Sequence, residues 1–327
     1  MEPSWKNAVS LDFWTYADAG HRQVGERFLS SLFKAGFVPN RYGDDDPPSL
    51  KFGEFSSMDD ILELWAKRPK QMSVQRLGNL GFQAVLHLTS EVSRPHLASL
   101  AVHDKYFEKP ANTEKFLGFA SLLYDILRPA QGDIGHQEDR RNKTVIQRTL
   151  KIGRRTVEAE EHPALNPTLG LSGIYWANFF GPAYVDFFSQ DLIQSAPALS
   201  KKKLSDGGYL LTTAKSPLDY QSPETKKTEQ ALIDHLGRAA FFDKNMPERI
   251  LRSPFPRGDD LSKSLRRPSF FLRESGSVQG QLRNCPECGE TTKIREMSRD
   301  SLNQLIGFKC LECGAMWAVQ ASLLKSQ

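Results

Sequence analysis

The chain has 327 residues, 39% of them hydrophobic and 25% charged, with a formal net charge of +4. That length suits one large domain or two plus a small module, and the composition is that of an ordinary globular protein with aromatics to fill a core. No run approaches the ~20 apolar residues of a membrane span, so a membrane protein is not expected.

The charge is unevenly placed. Residues 1–250 hold 31 Lys/Arg against 31 Asp/Glu, whereas residues 251–327 hold 12 against 8. The whole formal excess therefore sits in the last quarter. Such a bias is usually a solvated surface and is weak evidence for nucleic acid.

In chain order, the first expected element is a helix over Asp18 to Lys34. Val24, Phe28, Leu29, Leu32 and Phe33 recur at helical spacing, and Gly36 can stop it. A loop with three aspartates and Pro47-Pro48 follows, then a short strand from Lys51 to Phe55. Ser57 reads as the N-cap of a helix with Asp59 and Asp60 in its first turn and Ile61, Leu64 and Trp65 inside. Phe82 to Thr89 alternates as a strand should, with Leu97 to His103 as its antiparallel neighbour. A strong helix spans Asn112 to Leu127 and ends before Pro129. Residues 137–161 are the most charged stretch and predict a solvated hairpin or helix.

The segment Gly173-Ile174-Tyr175-Trp176-Ala177-Asn178-Phe179-Phe180-Gly181-Pro182 is crowded with aromatics that must be buried or offered to a partner; burial is the expectation. Asp206-Gly207-Gly208 predicts a hairpin turn feeding a strand from Tyr209 to Ala214. Ser222 and Pro223 open another helix that Gly237 closes, and Ala239 to Phe242 suggests a last strand. From about Arg252 to Arg283 the chain turns rich in Pro, Ser, Gly and Arg, as a linker does.

The C-terminal cysteines carry the most specific chemistry. Cys285-Pro286-Glu287-Cys288-Gly289 and Cys310-Leu311-Glu312-Cys313-Gly314 are two C-x-x-C-G knuckles, and they contain all four cysteines of the chain. Each knuckle brings two thiolates to one side of a tight turn, so Cys285, Cys288, Cys310 and Cys313 are expected to hold one structural Zn2+ tetrahedrally. Short strands at Thr291 to Met297, Gln304 to Lys309 and Met316 to Val319 would complete a zinc ribbon. With the thiols assigned to metal, nothing argues for an oxidising compartment. The start Met1-Glu2-Pro3-Ser4-Trp5-Lys6 lacks the basic and apolar regions of a signal peptide, so the expected location is cytoplasmic.

Familiar catalytic patterns are absent: no P-loop, no dinucleotide fingerprint, no H-E-x-x-H and no nucleophile elbow. His136-Gln137-Glu138-Asp139 is the one compact His/carboxylate cluster, and a hydrophilic loop explains it as well as a catalytic or metal role does. Asp44-Asp45-Asp46 reads as a capped turn in water, since three neighbouring acids cannot all point at one ion. No catalytic or cofactor-binding residue is identified, and a binding protein is expected rather than an enzyme.

Three groups of residues carry a family resemblance. They are Phe37-Val38-Pro39-Asn40-Arg41-Tyr42-Gly43 with Asp46-Pro47 and Trp65, then Leu127-Arg128-Pro129 before Gly132-Asp133-Ile134, and the 173–182 segment with Asp206-Gly207-Gly208. Together, over roughly residues 10–245, the chain resembles the immunity protein 52 family of bacterial polymorphic toxin systems. The resemblance implies a non-catalytic α+β protein that neutralises a cognate toxin, often one with a restriction-endonuclease-like fold. The ribbon departs from that family's pattern.

The expected fold class is thus α+β, with mixed or antiparallel sheets and flanking helices. A binding domain (1–250) is followed by a linker (251–282) and the zinc ribbon (283–327). The expected partner is a cognate toxin or a protein of a toxin–antitoxin or phage-defence assembly. The alternative is a zinc-ribbon accessory protein that meets nucleic acid, or a nucleic-acid enzyme, through its basic C-terminal region.

Overall fold

Ala8–Thr15 forms strand β1 at the centre of a ten-stranded sheet. A computed structural model describes residues 5–78, 81–89, 95–152, 155–161, 169–247, 251–255, 294–299, 305–310 and 316–320. Along the chain come α1 (Arg22–Lys34), β2 (Arg41–Gly43), β3 (Leu50–Lys51), α2 (Met58–Ala66), β4 (Gln71–Arg76), β5 (Phe82–His87) and β6 (His96–His103). Next are α3 (Pro110–Leu127), β7 (Gln131–His136), α4 (Gln137–Thr144) and the separate hairpin β8 (Ile146–Ile152) and β9 (Arg155–Glu161). The body closes with β10 (Ala177–Phe180), α5 (Pro182–Phe188), α6 (Gln190–Ser195), β11 (Ser200–Lys203), β12 (Tyr209–Thr212) and α7 (Pro223–Leu236).

The sheet runs in the order β11-β12-β10-β7-β1-β6-β5-β4-β2-β3, and every pairing in it is antiparallel. The fold is α+β, with one large antiparallel sheet and seven α-helices among the described residues.

Period-two alternation explains the layers. Val9, Leu11 and Phe13 of β1 join Ala177 and Phe179 of β10 on one face, under α1, α2 and α3. Phe180 of β10 and Tyr209 and Leu211 of β12 point the other way, into a second core with α5, α6 and α7. Trp176 is 3% exposed, and its Nε1 donates to Ala214 O at 2.9 Å. The aromatic segment is therefore core, as expected.

Several expectations need correction. Helix α1 begins at Arg22 rather than Asp18, because Asp18 Oδ1 accepts from Gly20 N at 3.2 Å and holds a turn instead. The strand expected from Lys51 to Phe55 is only Leu50–Lys51; Ser56 Oγ takes the Gly53 N–H at 3.0 Å and ends it. Ala239 to Phe242 is no strand but a 3-10 turn, with one parallel bridge from Phe241 to Leu171. Strands β1, β2, β4, β7, β10 and β11 were not anticipated. β7 reads Gln-Gly-Asp-Ile-Gly-His, without apolar alternation, yet it is wholly buried. Its Gly132 is required, since a Cβ there would stand 2.0 Å from Phe13.

The Asp206-Gly207-Gly208 turn is as expected: Asp206 Oδ1 accepts from Gly208 N at 2.9 Å and from the Tyr124 hydroxyl at 3.1 Å. At the start of the expected linker, Phe255 stacks on Tyr16 at 5.1 Å and meets Tyr184 at 5.7 Å. A separate antiparallel sheet joins β13 (Ile294–Arg299), β14 (Leu305–Cys310) and β15 (Met316–Gln320), close to the three strands expected of the ribbon. No helix among the described residues is long and apolar enough to cross a membrane.

Candidate functional site

Of the four expected zinc ligands, Cys285, Cys288 and Cys313 lie outside the described residues, and Cys310 is the last residue of β14, opposite Ile294. Among the described residues, no group of three or more His, Cys, Asp and Glu is arranged to hold a metal.

The His136–Asp139 cluster opens α4, and the structure disperses it. His136 Nδ1 accepts from Glu138 N at 3.2 Å as the helix N-cap, and its ring stacks on Tyr220 at 4.3 Å. Burial lowers the His136 pKa. Glu138 turns outward to the Tyr220 hydroxyl, whereas Asp139 turns inward.

Asp139 belongs to a buried ionic cluster on the second face of the sheet. Lys143 Nζ meets Asp139 Oδ2 at 2.6 Å, Glu229 Oε2 at 2.9 Å and Ile174 O at 2.6 Å. Lys226 Nζ reaches Asp139 Oδ1 at 2.6 Å and Glu229 Oε2 at 3.1 Å. Next to Asp139 in α4, Arg140 contacts Asp12 Oδ2 at 3.0 Å and Asp133 Oδ1 at 2.5 Å, and lies 4.7 Å from the Tyr175 ring centre. The Asp133 contact is a charge contact without hydrogen-bond alignment.

Burial raises the pKa of Asp133 to about 6, against the opposing pull of Arg140. Glu229 is also raised by burial, with Lys143 and Lys226 pulling it back. Every acid of the cluster meets a cation, so its evident role is to fasten α4 and α7 to β1 and β7. Sequence reading missed Asp12, Asp133, Arg140, Lys143, Tyr175, Lys226 and Glu229. The one available signal was the row of charges spaced three and four apart on α4.

The surface is different in kind at the β3 edge of the sheet. Residues 44–63 contain seven acids, Asp44, Asp45, Asp46, Glu54, Asp59, Asp60 and Glu63, against the single Lys51, and all eight are exposed. The segment carries −6, so the rest of the chain carries +10 out of a net +4. Local bonds fix its shape without neutralising it. Asp45 accepts from Ser49 Oγ at 3.3 Å, Asp46 from Gln83, and Asp60 Oδ2 from Ser57 N at 2.7 Å in a capping box. Asp59 alone of the seven has an ion pair among the described residues, with Arg22.

In the middle of this charge stands Phe55, 99% exposed, with Leu50 46% exposed at the edge strand. A bare phenyl ring in an acidic segment is costly to leave in water and suits an interface centre with a polar rim. The opposite sheet edge, β11, is Ser-Lys-Lys-Lys, the lysine protection usual for an edge strand.

No protein-family model matches the chain, and no curated protein matches it. Among solved structures it is similar to the Pseudomonas aeruginosa T6SS protein PA0821. The identity is 11% and the TM-score 0.43, over 74% of this chain and 86% of that one.

Proposed function

We propose that this chain is a non-enzymatic binding protein that neutralises a cognate bacterial toxin, or serves as its partner subunit in a toxin–antitoxin or phage-defence assembly. The observation that carries this reading is the exposed acidic edge of residues 44–63 with Phe55 at its centre. A toxin that acts on nucleic acid needs a basic face for phosphate, and an acidic surface with an aromatic anchor is its electrostatic complement. The resemblance to the immunity protein 52 family supports the same reading. So does the ionic cluster, whose acids are committed to Arg140, Lys143 and Lys226.

The zinc at Cys285, Cys288, Cys310 and Cys313 is structural in this reading. The alternative is a nucleic-acid accessory protein, favoured by the 12 basic against 8 acidic residues of 251–327. Co-expression with the product of the neighbouring gene decides between them. A toxin partner gives a stable complex and restored growth. A nucleic-acid role gives instead direct DNA or RNA binding that weakens steeply with salt.

A further inference from the structure

Helices α5, α6 and α7 leave a cavity of about 250 Å³ between them, lined by Phe187, Phe188, Leu192, Leu236, Ala240 and Arg252 among others. Apart from Arg252 its lining side chains are apolar, and the elements that carry them are well fixed. His235 Nε2 stands 2.8 Å from Leu192 O and ties α6 to α7, while Lys201 Nζ donates to Gln194 O at 2.7 Å and Ala196 O at 3.0 Å to secure the end of α6.

The single charged side chain of the lining is Arg252. Its backbone N–H is fixed on Ala239 O at 2.7 Å, and its guanidinium lies over the Phe187 ring, 5.4 Å from the centroid. The ring holds the cation from below without supplying any acceptor for its N–H groups. No carboxylate among the described residues pairs with it, whereas Arg238 nearby is already held by Asp234. Apolar lining side chains with one exposed guanidinium fork at the mouth, unpaired among the described residues, match an apolar group that ends in a carboxylate.

We infer that this cavity binds a small apolar carboxylic acid, with an aryl or branched alkyl body against Phe188 and Leu236 and the carboxylate on Arg252. The cavity volume admits one ring and a short chain. This site is separate from the acidic edge and does not depend on the reading given above.

The test is calorimetric titration of the full chain with 3-phenylpropionate and with its neutral amide. The acid is expected to bind with a Kd on the order of 1 mM, as suits so few atoms, and the amide at least ~10-fold more weakly. Arg252→Gln should bring the acid down to the affinity of the amide without moving the melting temperature. Ala239→Trp, at the exposed rim, should weaken both probes. Equal affinity for acid and amide on the unmodified chain would overturn the proposal, as would no acid binding at a concentration about tenfold above that Kd. Unchanged acid binding by a folded Arg252→Gln chain would overturn it too.

Discussion

Asp12 and Asp133 stand directly opposite each other on β1 and β7, and the guanidinium of Arg140 reaches both. Like charges at a cross-strand pair oppose sheet formation. The centre of this sheet therefore depends on a cation delivered by α4, the helix that follows β7 directly.

Removal of that cation should cost far more than an ordinary ion pair. Arg140→Met leaves the buried Asp133 and the half-buried Asp12 without a counter-charge, for an expected loss of roughly 3–5 kcal/mol. Denaturant unfolding measures it. A loss below ~1 kcal/mol, the range of exposed pairs, would show that the cluster is solvated.

Asp133 gives the pH signature. Burial pushes its pKa in the folded chain up to about 6, above the ordinary aspartate value, so folding favours the protonated form. Its contribution to stability is complete below pH ~4 and is lost as pH rises through about 6. Asp133→Asn cannot titrate, so the stability of the natural chain relative to this variant should fall between pH 4 and 6.5 and stay level above. Melting curves across that range give the difference directly; a pH-independent difference contradicts the assignment.

Trp176 fills the first core and donates to Ala214 O. Trp176→Ala should cost roughly 3–5 kcal/mol, as removal of a buried large aromatic does. An unshifted melting midpoint together with lost partner binding would move the side chain to an interface.

For the four cysteines the expectation is one zinc per chain, with Zn–S near ~2.3 Å. Cys288→Ser should lose the metal, and proteolysis should then release a stable fragment that contains the ten-stranded sheet. Metal analysis that finds no zinc ends this assignment, and wholesale degradation of the variant would show that the body needs the ribbon.

Where local chemistry decides an element, the sequence was readable. The capping residues Ser57 and Ser222, the Asp-Gly-Gly turn and the aromatic stripe of α3 all sit where their spacing placed them. Strand β7 was hidden because its stability comes from neighbours: Phe13 lies over Gly132, and Arg140 compensates Asp133. The ionic cluster was hidden for the same reason, since Lys226 and Asp139 are 87 residues apart in the chain. The acidic edge was visible only in part. Asp44-Asp45-Asp46 stood out, but its continuity with Phe55 and α2 depends on the way β3 and the following turn fold back at the sheet edge.

The most direct test of the account is the binding kinetics of the neighbouring gene's product to the natural chain, to Phe55→Ala and to a variant with Asp44, Asp45 and Asp46 all changed to Asn. Because these side chains are exposed, all three chains should melt together. Phe55→Ala is expected to weaken binding by at least ~2 kcal/mol, about 30-fold, mostly through faster dissociation. The triple variant should slow association at low salt and lose that effect at high salt. Tight binding that neither change disturbs would contradict the assignment of this edge as the docking surface.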